Sequence, residues 1–192
     1  MGRSTYGSEG RNGEAHAALV EAAHAEFREH GFDGTNTNAI ARRAHYAPQT
    51  FYRHFADKLA IFRTVYERWA VNEKSTLDRA LSNEDVTNAL ISHYERHRVF
   101  RRSARRLAVK DASVAYVLAR TRTEQLTAIA SHSETFAAMP SSEQVAILFT
   151  VEKLCDALAD GEFAALEVSR NEAHAIIRRR LGSVLAAART DG

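Results

Sequence analysis

The stretch that most constrains this chain is TNAIARRAHYAPQTFYRHFADK, residues 37 to 58. It predicts two short helices joined by a tight turn. An apolar set, Ile40, Ala41, Ala44, Tyr46, Phe51 and Phe55, is spaced to lock the pair together. Between those positions stand Thr37, Asn38, Gln49, Thr50, Tyr52, His54 and Lys58, all able to hydrogen-bond to phosphates or base edges. A helix-turn-helix needs this division of labour, with one face packed and the other polar.

The flanking punctuation agrees. Leu19, Ala22, Ala23 and Phe27 repeat at helical spacing, predicting a first helix from about Glu14 to His30. Gly31 follows where a left-handed cap favours glycine, and Phe32 is expected to fold back onto the core. Asn36 is a natural N-cap for the second helix, expected to run to about Ala44. Pro48 suits the first turn of the third, which ends near Phe55. Asp57 caps a fourth, carrying Leu59, Phe62, Val65, Tyr66 and Trp69 and continuing to about Leu81.

Beyond residue 81 the chain reads as helices of plainer pattern. One is expected from about Glu84 to Leu107, a second from Asp111 to about Phe136. A third begins at Ser142 after the turn at Met139-Pro140 and ends near Asp160-Gly161, and a last runs from about Arg170 to Ala188. There are only two prolines among 192 residues, 45% of residues are apolar, and no strand-like alternation breaks the Ala/Leu/Arg/Glu-rich runs. The fold class is therefore all-α.

Composition also narrows function. A single cysteine, Cys155, excludes an internal disulfide and fits a reducing cytosol. No apolar run approaches the roughly 18 residues that span a bilayer, and the polar, Gly-rich start holds no signal region, so a cytoplasmic protein is expected. Net charge is only +2, but residues 42 to 68 hold six Arg or Lys against Asp57 and Glu67, a local +4. No nucleophile elbow or phosphate-binding glycine loop occurs, so no enzyme and no cofactor are expected. A helical interaction module that does not touch DNA is the other reading, in which the face of Gln49, Tyr52 and His54 would be indifferent to substitution.

FREHGFDGT at 27–35, IARRA at 40–44 and TFYRHF at 50–55 with Lys58 three residues on together resemble the tetracycline-repressor (TetR) family of bacterial transcription regulators. The resemblance covers about residues 15 to 70. Residues 71 to 192 match only the family's layout, a larger, variable helical domain. It implies a disordered arm at 1–13, a DNA-binding domain at 14–70, and an effector-binding and dimerisation domain at 71–192. It also implies a homodimer formed through the last two helices, about 142–161 and 170–188. The protein is then expected to be a ligand-responsive repressor, released from a palindromic double-stranded DNA operator by a small-molecule effector. Carried onto this chain, the family's DNA contacts fall on Thr37, Asn38, Pro48, Gln49, Thr50, Tyr52, His54 and Lys58. Gln is a natural bidentate partner for adenine. Two positions depart from the family. His45 stands where the turn usually holds glycine, and Ala47 replaces the usual serine cap.

Other features have plainer readings. Phe51 and Phe55 are expected in the core, and Arg53 points elsewhere on its helix. Arg42 and Arg43 read as a solvated face, and Arg3 and Arg11 of the arm as candidates to touch DNA. Arg98, Arg101, Arg102, Arg105 and Arg106 form a stripe, expected to be solvated and satisfied by acids such as Glu124 and Glu134, with an anionic effector or DNA backbone as the alternative. His93 and His97, with His132, are too few for a zinc site, so no metal is expected. Cys155 reads as a small buried hydrophobe. Tyr94, Phe100, Tyr116, Phe136, Met139 and Phe149 read as core or as lining of an effector pocket.

Overall fold

A computed structural model gives the fold, describing the backbone of residues 6–81 and 86–185 and the side chains of 12–72 and 86–182. Every regular element among these residues is helical. In chain order they are α1 (Tyr6–His30), α2 (Thr37–Arg43), α3 (Pro48–His54), α4 (Lys58–Leu81), α5 (Val86–Ala108), α6 (Ala112–His132), α7 (Glu134–Ala137), α8 (Ser141–Ala159), α9 (Glu162–Ala165) and α10 (Arg170–Leu185). Cα packing gathers them into two compact units. The first holds residues 1–69 and 99–117, the second 70–98 and 118–192. Residues 99–117 thus pack with the N-terminal helices, although in sequence they lie beyond the boundary expected near residue 70.

The first unit is built around aromatic rings. Phe62 meets Phe27 edge-on at 5.0 Å and lies 5.3 Å from Phe100, which also touches Tyr66 and Trp69. Phe27, Phe51, Phe62 and Phe100 are fully buried. Such ring pairs add about 0.5–1.5 kcal/mol each beyond the area they bury. Gly31 closes α1 with φ +73°. A Cβ there would stand 3.1 Å from Ser103 Oγ and 3.3 Å from Val99 Cγ1. Glycine is therefore favoured both for its backbone and for the close approach of α5. The Phe32 N–H then donates to Ser103 Oγ at 2.9 Å.

The second unit is built from smaller side chains. Val151, Cys155, Leu158 and Ala159 of α8 pack with Ala173 and Ile177 of α10 and with Ile91 and Tyr94 of α5. Cys155 is buried there, as its apolar neighbours predict. Glu152 of α8 is also buried and accepts from Arg122 Nη2 at 2.6 Å and Nε at 3.0 Å. Arg122 in turn lies 4.9 Å from the Phe149 ring.

Several boundaries differ from expectation for local reasons. The segment expected as an arm is helical from Tyr6, because adding turns to a helix anchored by Leu19, Ala23 and Phe27 costs little, even through glycines. Residues 1–5 and the side chains of Arg3 and Arg11 lie outside the described residues, as do residues 186–188 of the last expected helix. The helix expected to reach Phe136 stops at His132, where the Ser133 hydroxyl accepts from the Phe136 N–H and starts α7. Gln144 Nε2 then donates to the carbonyls of Phe136 and Met139 at 2.9 and 3.1 Å, closing the turn around Pro140. The short α9 follows Gly161, at φ +78°, and had no periodic signature. No helix among the described residues is long and apolar enough to cross a membrane.

Candidate nucleic-acid interface

α2 and α3 are seven residues each, too short to hold their shape alone. Their stability comes from one buried side: Ile40, Ala41, Phe51 and Phe55 are at most 6% exposed. The turn between them follows the helix-ending pattern in which the Tyr46 N–H reaches Ala41 O at 2.9 Å and the His45 N–H reaches Arg42 O. His45 accordingly adopts φ +61°, the left-handed conformation that the family's usual glycine would supply without strain.

The opposite side carries the polar groups. Asn38, Pro48, Gln49, Tyr52 and Arg53 are exposed, and Thr37 and Thr50 are half-buried. Thr37 Oγ1 and the Tyr52 hydroxyl share a hydrogen bond at 3.0 Å. That bond ties the first residue of α2 to the middle of α3. Asn36 Oδ1 accepts from the Ala39 N–H at 2.9 Å, as an N-cap should, whereas Ala47 gives α3 no side-chain cap. Neither helix has an acid in its first turn. Both positive helix ends are thus left without a competing carboxylate, which suits a phosphate neighbour.

Two expected contacts fall elsewhere. Lys58 is half-buried and turns its ammonium to the protein's own backbone. Its Nζ donates to the carbonyls of Phe32 and Thr35 at 2.6 and 2.8 Å and lies 4.2 Å from the Phe32 ring centroid. Burial pushes its pKa down. The residue clamps the α1–α2 connection, because the carbonyls left free after Gly31 need donors. His54 is half-buried and turned towards α1, its ring 5.9 Å from that of His16. Its Nε2 is buried without a hydrogen-bond partner. Burial first, then repulsion from His16 and Arg53, lowers its pKa.

Sequence reasoning missed the network beneath this face. Glu26 is 9% exposed and takes the Thr35 hydroxyl at 2.6 Å and Arg43 Nη1 at 3.1 Å, while Arg43 also pairs with Glu29. Burial raises the Glu26 pKa, but these donors outweigh it and leave the carboxylate lowered. Arg42 and Arg43 are both exposed, as a solvated face predicts, and Arg43 serves in addition as a strut between α1 and α2. The signal was present in the sequence: Glu26 sits on the apolar stripe of Ala22, Ala23 and Phe27, where an acid must be paired.

The arginine stripe is likewise put to use. Arg101 is buried and lies 5.9 Å from the Trp69 ring, and Arg106 pairs with Asp33 in the α1–α2 connection. Glu124 pairs with Arg120 instead of the stripe. The His93 and His97 rings lie 4.7 Å apart, tilted at 44°, and the His132 imidazole meets the Ala128 carbonyl. Among the described residues no three His, Cys, Asp or Glu gather as a metal site. Tyr94, Phe100 and Phe136 are core, whereas Tyr116 and Phe149 are exposed.

Three helices with a packed α2–turn–α3 pair and an exposed polar face define a helix-turn-helix unit. The model of the bacterial regulatory proteins, tetR family, matches residues 19–65, the span that builds it. Over that segment the chain matches the tetR family. Solved structures share its fold along nearly the whole length. A TetR transcriptional regulator from Rhodococcus sp. RHA1 is 20% identical, with 93% of this chain and 98% of that one covered and a TM-score of 0.55. GusR from Salmonella enterica is 14% identical, with 90% and 95% covered and a TM-score of 0.64. SmeT, solved in complex with triclosan, is 17% identical, with 90% of each covered and a TM-score of 0.56. Among curated proteins none matches this chain in sequence.

Proposed function

We propose that the chain is a homodimeric, ligand-responsive transcriptional repressor that reads a palindromic DNA operator. α3 enters the major groove, and each subunit takes one half-site. The observation that carries this reading is the Thr37–Tyr52 hydroxyl bond beside exposed Gln49. Two hydroxyls fixed at the mouth of α2 and α3 suit one phosphate, and Gln49 is free to reach a base edge. Asn38, Pro48 and Thr50 flank them as contacts to the DNA backbone. Lys58 and His54 support this surface from behind, where direct contacts were expected.

The dimer would form through about 142–161 and 170–188. Phe149 on α8 is 48% exposed, a large ring left uncovered beside the helix pair. An effector in the second unit would favour a subunit arrangement in which the two copies of α3 no longer match the half-site spacing. Its power to release DNA is limited by its differential affinity for the two states. SmeT, which shares the fold, holds triclosan. Residency in the cytoplasm follows from the same reading.

Fluorescence anisotropy on the intergenic duplex next to the gene, against a scrambled duplex and at several salt concentrations, tests this. Tight, competitor-resistant binding that weakens with salt is expected. Gln49→Ala should cost about 1–3 kcal/mol on the operator and nothing on scrambled DNA. Tyr52→Phe, which removes one hydroxyl, should weaken both while leaving folding intact. Equal affinity for both duplexes, with no preferred site from a random library, would overturn the proposal.

A further inference from the structure

A pocket lies wholly within the first unit. α1, the end of α3, α4 and the start of α6 surround a cavity of about 520 Å³, within the range of small-molecule sites. Its chemistry comes from His16, His54, Arg63, Glu67, Ser113 and Tyr116.

Arg63 and Glu67 stand one turn apart on α4, a spacing at which opposite charges ordinarily meet. They do not pair here. Arg63 Nη1 donates to Ser113 Oγ at 2.9 Å, and the Ser113 hydroxyl is held by Asp111. The exposed Glu67 carboxylate has no ion-pair or hydrogen-bond partner among the described residues. The His54 imidazole lines the same cavity with its buried Nε2 unsatisfied. Tyr116 leaves 68% of its surface uncovered at the rim. A cation and an anion share one cavity, then, with an unused imidazole nitrogen and an exposed ring.

We propose that this pocket binds a small zwitterion of amino-acid size. Its carboxylate would sit on Arg63 and the imidazoles, its ammonium on Glu67, and its apolar body under the Tyr116 ring. A simple anion would meet Glu67, and a simple cation would meet Arg63, so neither alone satisfies both walls. His54 is the last residue of α3. Occupancy therefore bears on the end of that helix, from a site separate from the effector site proposed in the second unit.

Isothermal titration of the full chain, without DNA, with phenylalanine, phenylacetate and phenethylamine tests the idea with one ring in three charge states. Saturable binding of phenylalanine, clearly tighter than either single-charge analogue, is expected. Glu67→Gln, at an exposed side chain with no partner to lose, should weaken phenylalanine about fivefold and leave phenylacetate unchanged. Arg63→Gln should weaken both phenylalanine and phenylacetate at least about tenfold, with circular dichroism confirming the fold. No saturable heat from phenylalanine at millimolar concentration, equal binding of all three, or indifference to Glu67→Gln would each overturn the proposal. Because no DNA is present, failure here leaves the operator reading untouched.

Discussion

The two units solve the same packing problem with different materials. The first fills its centre with Phe27, Phe62, Tyr66, Trp69 and Phe100, the second with Val151, Cys155, Leu158, Ala159, Ala173 and Ile177. The first must hold two seven-residue helices at a fixed angle, and a seven-residue helix contributes almost no stability of its own. Large rings, a glycine at one closest approach and a half-buried lysine clamp supply the rigidity. The second is built on longer helices such as the 19-residue α8, which tolerate interchangeable aliphatic contacts. The first unit is thus constrained residue by residue, whereas the second is constrained mainly by pattern. That explains why the family's signature lies only in the first.

The largest expected effect breaks this contrast if it fails. Phe62→Ala should destabilise the chain by about 3–5 kcal/mol in urea unfolding, since its ring contacts Phe27, Phe32, Tyr66 and Phe100. Cys155→Ala in the second core should cost about 1 kcal/mol. Comparable losses at the two sites would mean that the units are equally specified.

Next comes the clamp. Lys58→Met should cost about 2 kcal/mol, because two carbonyls lose a charged donor. Its operator binding, corrected for folded fraction, should keep the wild-type dependence on salt. A flatter slope would instead return Lys58 to the phosphate contacts.

The smallest effect is a pH dependence. The pKa values of His24 and His54 both lie below the ordinary 6.5, chiefly through burial. With folded values depressed, the unfolded chain binds more protons, so stability falls as pH drops through 6.5 and levels off below the folded values. His54→Gln should shrink that acid-side loss in chemical unfolding at pH 7 and pH 5.5. An unchanged or larger loss would show that burial of this imidazole is not what the first unit's acid sensitivity reports.

Much of the first unit was legible because its local signals are strong and agree. Gly31, Asn36, Pro48 and Asp57 each act within a few residues, and each does in the structure what its chemistry predicts; the Asp57 carboxylate, for example, accepts from the Ala60 N–H at 2.7 Å. The site was legible in part. Thr37, Gln49 and Tyr52 fall together on one exposed face, but Lys58 and His54 turn inward. Periodicity assigns a residue to a side of its helix. It does not reveal that carbonyls 23 and 26 residues away are waiting for a donor. The break at Ser133 was missed because an N-cap serine looks like any other polar residue until its partner N–H is in place.

The sequence alone determined the class: helices throughout and a helix-turn-helix between residues 37 and 58. These follow from spacing and from interactions between residues close in the chain. Only the tertiary structure decided which polar side chains are spent on the protein itself. It joined residues 99–117 to the N-terminal unit, committed Lys58, Arg43 and Arg106 to internal partners, and turned Arg63 to Ser113 and not to Glu67 in the cavity they share. The physical reason is that a long charged side chain is matched by whatever dipole or charge lies within a few ångströms, and that neighbour is chosen by packing between segments far apart in sequence.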